Sequence, residues 1–182
     1  MKISIIVPAF NEEKLIADTL RRISMATAAF SQRGWASELI VCDNNSTDRT
    51  AELAQAAGAQ VVFEPINQIG RARNKGTAAA SGDWLIFIDA DSHPNPELFA
   101  DVAAAIQSGT CLAGGSTVRL DASRLGARLV TGCWNLISRC GRHRHTNMGC
   151  ISAATGTSFR SAPSWFRTIR SGGCQSPCLA AT

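Results

Sequence analysis

At 182 residues and 45% hydrophobic, the chain is long enough for one globular domain with its own core. No run approaches the roughly 20 apolar residues that span a bilayer, and residues 3–7 are too short for a signal peptide, so a cytoplasmic location is the expectation. The net charge of +4 divides sharply: all 14 Asp and Glu lie at or before Asp121, against 10 Lys and Arg there, whereas the last 61 residues hold eight Arg, no Lys and no acid.

Residues 2–7 are apolar and rich in β-branched side chains, hence a strand, ended by Pro8-Ala9-Phe10-Asn11. Asn11 reads as an N-cap, with Glu12 and Glu13 in the first turn to meet the helix dipole. Leu15, Ile16, Leu20, Ile23, Thr27 and Phe30 then fall near helical spacing, predicting a helix of about five turns before Gly34. A second strand over 38–42 ends at Asp43; Asn44-Asn45-Ser46 turns, and a short helix over 47–57 is followed by Gly58 as its C′ residue. A third strand over 60–63 leads to a helix over 70–81 carrying Arg71, Arg73 and Lys75 near its start.

The run Trp84-Leu85-Ile86-Phe87-Ile88 reads as a strand buried on both faces, and it leads straight into Asp89-Ala90-Asp91. Adjacent carboxylates repel, and a hard divalent cation relieves the repulsion through oxygen ligands. The pattern therefore suggests a metal with the phosphates it carries, the alternative being a solvated acidic turn. Asn95 caps a helix starting at Pro96 and running to about Gln107, and a weaker strand spans 112–120. Strands alternating with helices specify an α/β fold: a doubly wound, mostly parallel sheet with helices on both faces and right-handed crossovers.

In such a sheet ligands bind at the carboxyl ends of the strands. Asn11 with Glu12, Asp43, and Asp89 with Asp91 should open on that one rim, with Arg71, Arg73 and Lys75 reaching it to pair with phosphates or with the carboxylates themselves. Asp43 is placed to accept hydrogen bonds from a nucleobase or ribose, whereas Asp48 fits a turn-shaping and capping role better. The first strand is not followed by Gly-x-Gly-x-x-Gly, which disfavours a dinucleotide site, and no P-loop is present.

These segments carry a resemblance. Ile5-Ile6-Val7-Pro8-Ala9-Phe10-Asn11-Glu12-Glu13, Val41-Cys42-Asp43-Asn44-Asn45-Ser46-Thr47-Asp48-Arg49-Thr50, Ala72-Arg73-Asn74-Lys75-Gly76 and Phe87-Ile88-Asp89-Ala90-Asp91 make the first two-thirds of the chain resemble the nucleotide-binding half of a family 2 glycosyltransferase, with the GT-A, Rossmann-like fold. The resemblance implies that a nucleotide-diphosphate sugar, a UDP-sugar above others, lies along the rim. By it, Pro8, Ala9, Phe10, Asn11, Glu12 and Asp43 hold base and ribose, Asp89 contacts the ribose, and Asp91, with Asp89 beside it and Ala90 between, takes the Mn2+ or Mg2+ that bridges the diphosphate.

The chain departs from that family in its last third. Inverting transfer needs a base to deprotonate the acceptor hydroxyl, and no Asp or Glu follows Asp121. The Gly-Gly-Phe-Asp/Glu segment of such enzymes has no counterpart: Gly149-Cys150 runs into Ile151-Ser152-Ala153-Ala154. His143 and His145 are the remaining candidates, though Arg142-His143-Arg144-His145 reads better as a solvated basic loop, and the catalytic residue stays unknown. Seven cysteines with no Cys-x-x-Cys argue for neither a disulfide framework nor a zinc site.

Residues 1–121 thus read as the nucleotide-sugar-binding domain, 122–150 as a partial acceptor region that could carry one more helix over 125–137, and 151–182 as a divergent tail without apolar period. That tail is either a basic arm or sequence not selected as protein, such as a shifted reading frame; Arg without Lys or any acid favours the second. The expected function is a metal-dependent, inverting glycosyltransferase, weak or inactive for want of its base. No nucleic-acid partner is expected, the acceptor is unknown, and a lipid or glycan acceptor would allow peripheral membrane contact. The rivals are a non-catalytic nucleotide-binding remnant and a nucleotidyltransferase, which would start with a Gly-rich loop this chain lacks.

Overall fold

A strand buried along nearly its whole length becomes the middle of the sheet. β1 (Lys2–Ala9) is buried from Ile3 onward and lies between β2 (Ala36–Asp43) and β4 (Trp84–Phe87), parallel to both. β3 (Gln60–Phe63) extends the sheet beyond β2, again parallel. On the other side β6 (Cys150–Ala153) runs antiparallel to β4 and to β5 (Ala113–Gly115), which gives the order β3-β2-β1-β4-β6-β5. The computed structural model describes residues 1–109, 113–116 and 150–153.

Alternation along β1 sends its residues to two helical layers. Ile3, Ile5, Val7 and Ala9 join one core with Ile16, Leu20 and Ile23 of α1 (Ile16–Ala26), Phe30 of α2 (Ala28–Ser31), Ala54 of α3 (Thr50–Ala56) and Phe99, Val102 and Ile106 of α5 (Pro96–Gln107). Phe30 and Phe99 meet with ring centroids 5.2 Å apart. Ile6 points to the other layer, where α4 (Ile69–Ala79) approaches so closely that a Cβ on Gly76 would lie 2.5 Å from Ile6 Cγ2. Among the described residues no helix is long and apolar enough to cross a membrane.

The end of the sheet away from the candidate site is tied by polar groups. Glu38 accepts from Ser4 Oγ, from the Ser81 N–H at 2.7 Å and from Lys2 Nζ at 2.6 Å. Burial alone would raise the Glu38 carboxyl; these donors outweigh it and hold the group at about 2.

Most predicted elements are found within a few residues, β3 and the capped α5 closely, and Gly58 takes the left-handed conformation after α3 at φ 83°. Several expectations are corrected. Asn11 does not cap a helix: it sits at φ 55° in a turn, and α1 begins only at Ile16. The expected five-turn helix is divided at Thr27 into α1 and α2. α3 starts at Thr50 rather than Thr47: its N-cap position is Arg49, and Asp48 just before it shapes the turn, accepting from the Thr50 N–H at 2.9 Å. Among the described strands β6 alone runs against the others, antiparallel to both β4 and β5, and residues 151–153, expected to open an irregular tail, lie in β6 of the sheet. The helix expected over 125–137, His143 and His145 fall outside the described residues.

Candidate functional site

Parallel pairing of β1, β2, β3 and β4 places their carboxyl ends on one rim, with Ala9 in register with Asp43 and Asp43 in register with Phe63. Two loops rise there side by side and are laced together. Asn11 N–H donates to Ser46 Oγ at 3.0 Å, Glu12 N–H to Thr50 Oγ1 at 2.8 Å and Glu13 N–H to Asp48 Oδ2 at 3.1 Å. In return Thr47 N–H donates to Asn11 Oδ1 at 2.8 Å and Arg49 N–H to Glu13 Oε2 at 3.3 Å. The side-chain oxygen of Asn11 is therefore engaged by the neighbouring loop, and Asn11 contributes the shape of the rim. Pro8 and Ala9 are buried below it, and Phe10 is exposed.

Asp43 is buried at the end of β2, and its Oδ1 accepts from the Ser46 N–H at 3.1 Å. Beside it lies Asn44, which the sequence reading treats only as part of a turn. Asn44 is 3% exposed. Its Nδ2 donates to the Glu64 and Ile66 carbonyls at 3.2 and 2.6 Å, and its Oδ1 accepts from the Gln68 N–H at 2.9 Å. One amide side chain thus satisfies three backbone groups of the β3–α4 loop. Glu64 was also missed. It is buried after β3, where the Ile66 N–H and the Arg71 guanidinium, at 3.1 Å each, hold its carboxyl below the usual range.

Of the two pairings open to the arginines, the structure shows the carboxylates. Arg71 is bound to Glu64, and Arg73 Nη2 donates to Asp89 Oδ1 at 2.7 Å. Burial pushes the Asp89 carboxyl up, Arg73 opposes that, and Asp91 adds to the rise. Glu12 is likewise raised, by burial first and then by the charges of Asp91 and Asp48. Asp91 itself is exposed and, among the described residues, makes no hydrogen bond or ion pair. The segment is closed by the Ser92 N–H donating to the Asp89 carbonyl at 3.0 Å.

This donor set suits a hard cation of limited demand. Among the described residues no group of three or more His, Cys, Asp or Glu could cage a metal. Asp91 offers a free carboxylate, and Glu12, Asp48 and Asp91 make the spot electronegative. Magnesium-type sites of this kind take one or two protein carboxylates and complete their shell with phosphate oxygens and water. Asp89, with one oxygen on Arg73, is less available than Asp91.

A mixed sheet in the order 3-2-1-4-6-5 with acidic strand ends on one rim is the GT-A arrangement of nucleotide-sugar-dependent transferases. The family model described as glycosyl transferase family 2 matches residues 4–161, and the chain belongs to that family. The chain is 33% identical over 124 residues to the dolichol-phosphate mannosyltransferase of Pyrococcus furiosus, covering 64% of this chain and 33% of that protein. It is 30% identical over 169 residues to the undecaprenyl-phosphate 4-deoxy-4-formamido-L-arabinose transferase of Edwardsiella ictaluri, covering 84% and 48%. The glucosyl-3-phosphoglycerate synthase of Mycobacterium tuberculosis, solved with Mn2+, uridine diphosphate and glucosyl-3-phosphoglycerate, superposes with a TM-score of 0.61 at 26% identity over 84% of this chain and 56% of that one. The chain thus spans half or less of the length of these two curated relatives.

Proposed function

We propose that this chain is the donor-binding part of a glycosyltransferase that uses a UDP-sugar with Mn2+ or Mg2+. The observation that carries the reading is the convergence of Glu12, Asp43, Asp89 and Asp91 on one rim, on loops that belong to the family's matched region. A structural neighbour binds uridine diphosphate with Mn2+, which supports the same nucleotide and metal here.

In this reading the laced loops form the wall for the base, and Asp43 accepts a hydrogen bond from base or ribose. Asp89, held by Arg73, meets the ribose hydroxyls. Asp91 holds the cation, which when bound neutralises charge on the diphosphate as it leaves. The acceptor hydroxyl attacks the anomeric carbon from the opposite side, with inversion, and a base must take its proton. Residues 122–182 offer no carboxylate for this, so transfer by the 182-residue chain is weak or absent. Two relatives are named for lipid-phosphate substrates, which supports a lipid-phosphate acceptor and peripheral contact with a membrane. The second reading, a nucleotide-binding remnant without turnover, is favoured by that same lack of a carboxylate.

Calorimetric titration of UDP with Mn2+ and with EDTA tests the site. Binding that strengthens with Mn2+ is expected, and equal affinity in both conditions, or no binding, refutes the reading. Release of UDP from a UDP-sugar in the presence of a polyprenyl phosphate separates the transferase from the remnant.

A further inference from the structure

A buried hydroxyl sits beneath the two rim carboxylates. Thr19 lies on the inner face of α1 at 0% exposure, among Ile16, Leu20 and Ile23. A helical threonine commonly turns its hydroxyl back to a carbonyl one turn earlier. Thr19 does not. Its N–H donates to the Leu15 carbonyl, and its Oγ1 leaves the helix and donates to the carbonyl of Ala90 at 2.7 Å, 71 residues along the chain.

Ala90 is the residue between the two carboxylates. The segment alternates: Ile88 and Ala90 are buried in the core, and Asp89 is turned to Arg73. Asp91 follows and is exposed. Asp89 is therefore fixed by an ion pair of its own, whereas the direction of Asp91 rests on its backbone. The peptide plane joining Ala90 to Asp91 contains the carbonyl that Thr19 holds. Fixing that plane places the Asp91 Cα and leaves a single backbone dihedral, φ of Asp91, to set where its side chain leaves the chain, because a planar peptide has only two soft dihedrals per residue.

We infer that Thr19 is a positioning residue for Asp91: through the Ala90 carbonyl, its hydroxyl aims the carboxylate that takes the divalent cation. This rests on the donor-site reading above. Thr19 touches neither nucleotide nor metal, so its effect is confined to the part of UDP binding that depends on the cation.

The test compares the full 182-residue wild type with Thr19→Val, which keeps the shape and removes the hydroxyl, by titrating UDP in Mn2+ and in EDTA. The expected result is a loss of about 5–10-fold in the gain that Mn2+ confers, the scale of one hydrogen bond to a buried group. Affinity in EDTA should stay within about twofold, and Thr19→Ser should restore the gain. If Thr19→Val does not fold, Thr19→Ser against Thr19→Ala differs by the hydroxyl alone and reads the same quantity. A wild-type Mn2+ gain in Thr19→Val or Thr19→Ala overturns the inference, as does an equal loss with and without metal, which marks a merely structural role. A wild-type chain with no Mn2+ gain overturns the donor-site reading and this inference with it, a result distinct from a defect seen only in the variants.

Discussion

Replacing Arg73 by methionine keeps much of the aliphatic stem and removes the cation from Asp89. The two groups are 12% and 22% exposed and 2.7 Å apart. At an effective dielectric of about 20, their gross attraction is about 6 kcal/mol. Desolvation of both ends takes back several kcal/mol, so loss of one partner should cost about 2–4 kcal/mol, a little below the figure for a fully enclosed pair. The cost should depend on pH in a defined direction. The folded-state value of Asp89 is already raised from its ordinary 3.8, by burial first. The folded protein therefore holds this proton more tightly than the unfolded chain does, and stability from the group declines as pH rises through the folded value. Arg73 lowers that value, so without it the value climbs further. The deficit of Arg73→Met should grow as pH rises from the wild-type folded value of Asp89 to the higher value in the variant, and level off above it. Urea unfolding at a series of pH values measures it, and Asp89→Asn in the Arg73→Met background should recover much of the loss. A deficit that is flat across this range, or no recovery in the double variant, refutes the reasoning.

Asp91→Asn should abolish the Mn2+ dependence of UDP binding while leaving the urea midpoint near wild type, since Asp91 is exposed and contributes little packing; retention of the metal effect would move the ligand elsewhere. Asp43→Ala should weaken UDP binding by about 1.5–3 kcal/mol, the range for a hydrogen bond to a charged group, and unchanged calorimetric affinity would leave Asp43 only its bond to Ser46. Glu38, lowered to about 2 from 4.5, contributes stability that is present above its unfolded value and is lost as pH falls toward 2. Glu38→Gln should flatten that acid limb in thermal unfolding, and an unchanged limb would place the acid sensitivity elsewhere.

The parallel core of the fold was legible because each strand is a short apolar run closed by turn residues, and Asn95 before Pro96 marks the start of α5 directly. Asn11 misled for a physical reason. Asn followed by two glutamates is a good local start for a helix, but Ser46 and Thr47, 35 and 36 residues away, compete for its groups and win. The choice of the arginines between phosphate and carboxylate depends on where α4 sets them, which no local pattern states. β6 joins β4 from far along the chain, so its pairing has no local signal either. Thr19 and Asn44 left a trace that could have been read. Thr19 is a polar residue inside an apolar helical stripe, and Asn44 directly follows a buried strand end. Both are buried with their hydrogen bonds satisfied by distant backbone.

The lacing of the two rim loops has a consequence for redesign. Five hydrogen bonds join positions 35 to 38 residues apart, so the two loops form one module even though two helices and a strand separate them in the chain. Grafting either loop alone from another transferase would break these bonds, four of them exposed to water and the Glu12 N–H bond to Thr50 part-buried, at about 0.5–1.5 kcal/mol each. A change of nucleotide preference is therefore best sought by exchanging both loops together, and a length change in one requires a matching change in the other.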